Sequence, residues 1–137
     1  MPTQIFVNHV VKDLNRSKRF FEAIGYSFNP MFTNEDAACL VISDTIFAML
    51  HTPKSIERFL PQGKTVTDAH KSTESIIALS SDSREEVESI YQKAIAAGAT
   101  EARPAEEYPF MYTRSFNDLD GHIWEVFHMD ASKFPKE

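Results

Sequence analysis

The sequence predicts an α+β fold built from two tandem modules, each running strand, helix, strand, strand, strand. Three observations carry this expectation. Strand and helix signals alternate in the same order twice along the 137 residues. Each predicted helix ends at a glycine, Gly25 and then Gly98, where left-handed backbone commonly closes a helix. A polar stretch carrying Pro53, Pro61 and Gly63 separates the two passes. Module one is therefore expected over residues 4–52, the connection over 53–72 and module two over 73–130, all within a single domain.

In module one, "QIFVNHVV" alternates, with Phe6, Asn8 and Val10 on one face and Val7, His9 and Val11 on the other. Asp13 opens a helix, "LNRSKRFFEAIG", whose Leu14, Phe20, Phe21 and Ile24 recur at helical spacing. "YSFNPMF", "ACLVIS" and "TIFAMLHT" follow as strands, the last two joined by a turn at Ser43-Asp44. The connection is too polar for core; "SIERFL" within it has the length of one or two helical turns, and the stretch is a candidate subunit contact. Module two begins at the strand "SIIALSSD". Ser83 and Glu86 then form a capping box ahead of the apolar stripe Val87, Ile90, Tyr91, Ala94 and Ile95. "ATEARP" reads as a short strand, "FMYTRSFN" as a longer one, Leu119 to Gly121 as a turn and "HIWEVFHM" as the last strand.

The charge balance of −6 and the lack of a basic cluster argue against nucleic acid as a partner. The longest apolar run, Ala37 to Ile42, is far shorter than the roughly 18 residues of a membrane span. Lys12, Asp13, Asn15 and Arg16 interrupt anything like the apolar core of a signal peptide, and Cys39 is the only cysteine. A reducing cytoplasm is the expected location.

The repeat, together with "VKDLNRSKRFFEAIG" near the start and "FNDLDGHIWEV" near the end, resembles the vicinal-oxygen-chelate superfamily. That group includes glyoxalase I, fosfomycin-resistance and bleomycin-resistance proteins and extradiol dioxygenases. The resemblance spans residues 4–130. It implies two βαβββ modules forming a curved mixed sheet around a central cavity, helices outside, commonly in a homodimer. In metal-dependent members, the first and last strand of each module point ligands at one divalent ion. Matching "DGHIWEV" to that pattern gives Glu125 as one ligand position. The repeat sets Met49 opposite it, and matching "IIALSSD" and "VVKDL" sets Ile76 and Phe6 at the others. Phenylalanine and isoleucine have no donor atom and a lone thioether is a poor ligand for hard cations. The resemblance therefore implies a member without the usual metal and with no cofactor. A register displaced by two residues keeps every side chain on its face and substitutes Asn8, His51 and Glu74, which with Glu125 form an alternative set for one divalent ion.

Glu125 stands among apolar residues, between Ile123 and Phe127 on its face, and a carboxylate there needs a donor such as Asn8 or Arg114. A carboxylate at the sheet edge, or one that hydrogen-bonds a backbone amide, is the plain reading; a general base or ligand anchor is the functional one. Tyr112 and Arg114 share a face with Phe116, and an arginine facing the cavity would grip an anionic substrate, whereas a surface ion pair is the plain alternative. Phe6, Phe47, Met49, Ile76, Ile123 and Phe127 are expected to give the cavity an apolar lining, with Asn8 as a polar point in it. The expected function is small-molecule binding in a homodimer. The second reading is a glyoxalase-like lyase or isomerase in which Glu125 takes a proton beside a carbonyl, with or without a displaced metal.

Overall fold

A computed structural model of the chain describes residues 2–135. The chain divides into two compact units, one up to Thr67 and one from Asp68 onward, so the boundary falls inside the polar connection.

The first unit contains β1 (Ile5–Val10), α1 (Leu14–Ala23), β2 (Ser27–Asn29), β3 (Ala37–Val41), β4 (Ile46–His51) and α2 (Pro53–Glu57). Asp13 caps α1 by accepting from the Arg16 amide. The strand expected over "YSFNPMF" stops at Asn29, because Asn29 and Pro30 start a 3-10 turn over Pro30–Phe32. Strand order is β1-β4-β3-β2, with β1 parallel to β4 and the other pairs antiparallel. Alternation sorts the strand residues cleanly. Ala38, Leu40, Ala48 and Leu50 are fully buried with Phe20 and Phe21 of α1, and Phe6, Phe47, Asn8 and Met49 lie on the opposite face.

The second unit contains β5 (Ile76–Ser80), α3 (Arg84–Ala96), β6 (Thr100–Tyr108), β7 (Met111–Asn117) and β8 (Ile123–Met129). Its strand order, β5-β8-β7-β6, repeats that of the first unit, with β5 parallel to β8. The Ser83 half of the capping box forms as expected, accepting from the Glu86 amide; the Glu86 carboxylate accepts from the amide of Asp82, one residue before the cap, rather than from that of Ser83. Val87, Tyr91 and Ala94 of α3 are buried with Phe116, Trp124 and Val126 of the sheet. One element differs from expectation. The strand beginning at Thr100 does not end at Pro104 but runs to Tyr108, because β6 is the edge strand, where a residue without an N–H interrupts no ladder.

The turn before β8 is built around Asp118. Its carboxylate accepts from the Asp120 and His122 amides at 2.9 and 3.1 Å and from the Trp124 indole at 2.9 Å. Gly121 completes the turn at φ +87°, and a Cβ there would lie 2.8 Å from the backbone of Ala69.

Among the described residues, no helix is long and apolar enough to cross a membrane.

Candidate functional site

In the first unit, β1 and β4 set Phe6 beside Phe47 and Asn8 beside Met49 on the face opposite α1. The two phenylalanine rings stack with centroids 4.7 Å apart. Phe6 is 45% exposed, so the stack presents apolar surface to solvent. His51 lies further along the same face but is buried, since Thr52 caps α2 and turns the chain back over it. Its Nδ1 is 3.0 Å from Ser55 Oγ, its Nε2 is 2.8 Å from Asn8 Oδ1, and the Phe59 ring tilts against it at 5.1 Å. Burial, with the Arg58 charge adding to it, lowers the His51 pKa and favours the neutral ring.

In the second unit, the face opposite α3 carries Ile76, Ala78, Ile123, Glu125 and Phe127 together with Thr113 and Ser115. Ile76, at the edge, is 52% exposed. Glu125 faces Ala78 on one side and Ser115 on the other, and its side chain is 17% exposed. The donor it needs is Arg103, whose guanidinium bonds Glu125 through Nη2 and Glu106 through Nη1. Alternation alone would put Arg103 on the face of Glu101. A bulge between them re-aims it, so that it pairs with Ser115 instead.

Tyr112 and Arg114 require a correction. Expected on the ligand face, they lie on the opposite one, because Arg114 pairs with Val126 and Tyr112 with His128, whereas Glu125 pairs with Ser115. Arg114 packs over the Tyr91 ring of α3 at 3.6 Å, with Nη1 3.2 Å from Glu88 and Nη2 3.5 Å from Glu101. Tyr112 donates to Glu88 at 2.6 Å. Hydrogen bonds from Gln92 and Tyr112 hold the Glu88 carboxyl below its ordinary range. This network fastens α3 to β7; Arg114 is no anion clamp beside Glu125.

The residues do not fit the family's divalent ion. Of Phe6, Met49, Ile76 and Glu125, only Glu125 offers a hard donor, and Arg103 already supplies its positive partner. In the displaced set, Asn8 and His51 do meet, yet they bond each other and His51's second nitrogen is engaged by Ser55. Glu74 is exposed ahead of β5. Among the described residues, no group of three or more His, Cys, Asp or Glu side chains is placed to hold a metal.

Residues 3–43, most of the first module, match the family described as bleomycin resistance protein-like N-terminal. No curated protein matches. Among solved structures, a glyoxalase-related enzyme from Fulvimarina pelagi is 25% identical, with a TM-score of 0.71 over 93% of this chain and 87% of that one. A glyoxalase/bleomycin resistance protein/dioxygenase family enzyme from Burkholderia phytofirmans is 17% identical, with a TM-score of 0.78 over 93% of this chain and 99% of that one. The fosfomycin resistance protein FosX from Mesorhizobium loti is 16% identical, with a TM-score of 0.68 over 97% of both chains. Two sheets of identical strand order, the match in the first module and these likenesses agree in one respect: the chain has the fold of the glyoxalase and bleomycin-resistance proteins, and its first module resembles the N-terminal part of the latter.

Proposed function

We propose that the protein binds a small, largely apolar molecule against the sheet faces opposite its helices, and that it does so without a divalent metal. One observation carries this reading. At three of the positions where metal-dependent relatives place ligands, this chain has Phe6, Met49 and Ile76, and two of these are largely exposed in the folded chain. Exposed aromatic and aliphatic groups of that size gain roughly 25 cal/mol per Å² when a ligand covers them. The match of residues 3–43 to a bleomycin-resistance-like family is in keeping with a binding role. Proton abstraction by Glu125 fits less well, since Arg103 would first have to release its carboxylate. A homodimer in the cytoplasm is the assembly and setting that accompany this function.

The test is to purify the protein without chelators, measure its metal content, and titrate it with ethylbenzene before and after EDTA treatment. We expect no stoichiometric divalent ion and the same saturable binding in both preparations. A retained divalent ion, or binding that disappears with EDTA, would overturn the metal-free reading. A Phe6→Asp variant should lose most ethylbenzene affinity if the exposed aromatic pair is part of the binding surface. A monomer by light scattering would contradict the dimer.

A further inference from the structure

The Asn8 amide has a determined orientation. Its Nδ2 lies 3.3 Å from the Phe6 carbonyl oxygen and its Oδ1 lies 2.8 Å from His51 Nε2. Turned end for end, the amide would set its oxygen against the Phe6 carbonyl, two acceptors with no proton between them. Nδ2 therefore donates to Phe6 and Oδ1 accepts from His51 Nε2–H. The imidazole follows: in the neutral ring Nδ1 carries the lone pair and accepts from the Ser55 hydroxyl at 3.0 Å. Protonating the ring leaves the bond to Asn8 unchanged, because only the Ser55 hydroxyl needs to turn round. His51 and Ser55 are each 3% exposed, so the chain of bonds is rooted in packed structure and ends at the exposed Asn8. Asn8's oxygen is thereby turned inward to His51, and among the described residues its second N–H has no acceptor.

We propose that Asn8 is a specificity-determining residue, whose second amide N–H donates to an acceptor oxygen on the bound molecule. The ligand class is then an apolar small molecule carrying a carbonyl or carboxylate oxygen, its apolar body lying along the Phe6–Phe47 stack. His51 and Ser55 are positioning residues, which hold the donor outward and keep the amide from turning. This inference rests on the binding function proposed above.

Acetophenone and ethylbenzene form a matched probe pair, alike in shape and differing by one carbonyl oxygen. Their affinities for the full chain are measured by NMR titration in wild type, Asn8→Asp and His51→Leu. Asn8→Asp keeps the oxygen that His51 needs and replaces the N–H donor by an acceptor. The ratio of acetophenone to ethylbenzene affinity should fall about 3- to 10-fold, the range expected for one neutral hydrogen bond. Asn8→Asp also adds a negative charge and loses the bond to Phe6, so the ethylbenzene affinity of each variant is the reference against which its acetophenone affinity is read. His51→Leu, which frees the amide to turn, should lower the same ratio with ethylbenzene binding retained; Asn8→Asp decides the matter if that buried replacement does not fold. An unchanged ratio in Asn8→Asp overturns the donor assignment while leaving the binding function intact. Failure of wild type to bind either probe overturns both.

Discussion

Replacing Asp118 tests the device that positions Glu125 at the start of β8. Asp118→Ala removes three hydrogen bonds at once, from the Trp124 indole and from the Asp120 and His122 amides. Bonds to a charged acceptor contribute about 1.5 kcal/mol or more each, so the gross loss is about 4–5 kcal/mol. Some of that is offset, because the buried carboxylate is desolvated and its pKa is pushed up by burial. A net cost of about 2–4 kcal/mol remains. Asp118→Asn keeps one acceptor oxygen, which can serve the indole or the turn amides, and should cost about half as much. Trp124 is the only tryptophan and is buried against this turn, so its fluorescence reports the unit directly. With a urea m-value of about 1.5 kcal/mol/M, Asp118→Ala should lower the unfolding midpoint by about 1.3–2.7 M, at unchanged slope. A shift below about 0.3 M, or an asparagine variant less stable than the alanine one, would refute the reasoning.

Three further predictions concern the same elements. Gly121→Ala forces a side chain into left-handed backbone and against Ala69, and should cost at least about 1–2 kcal/mol by thermal or urea unfolding; a neutral substitution would contradict the turn geometry. For His51, the folded pKa lies below the unfolded value, so the unfolded chain binds the proton more readily. Stability contributed by the neutral ring is complete above about pH 6.5 and is lost as pH falls from there through the folded pKa. Comparing urea midpoints between pH 7.5 and 5 in wild type and His51→Gln checks this, since the variant should have the shallower dependence. For the pair Arg103 and Glu125, a double-mutant cycle with Arg103→Met and Glu125→Gln should give a coupling of about 1 kcal/mol, modest because Arg103 is half exposed. A coupling near zero would show that Arg103 is not Glu125's working partner.

The fold was legible in the sequence because its cues were local and occurred twice. The stripe Leu14, Phe20, Phe21 and Ile24, the capping box at Ser83, and the glycines after both helices each act over one or two turns of chain. Period-two alternation likewise put Ile123, Glu125 and Phe127 on one face, and Asn8 with Phe6 on another. Alternation is silent on which side of a sheet the helix takes. Tyr112, Arg114 and Phe116 do share a face, but it is the α3 face, and only the ladder across the Asp118 turn, Asn117 to Ile123, reveals that. Arg103 was out of reach for a different reason: a bulge reverses its side, and no periodic pattern contains a bulge. The bond between His51 and Asn8 joins residues 43 apart in sequence, and their face but not their contact could be read from spacing.

The central claim is that Phe6, Met49 and Ile76, at the positions that the resemblance assigns to metal ligands, bind a small molecule directly. Methyl NMR of the full chain in EDTA, titrated with ethylbenzene, tests it most directly. The account predicts saturable shifts on at least one of the two faces, at Met49 in the first unit or at Ile76 and Ile123 in the second, with Ala94 in the α3 core unmoved. Methyl signals that stay still in EDTA but move once a divalent ion is added would contradict it.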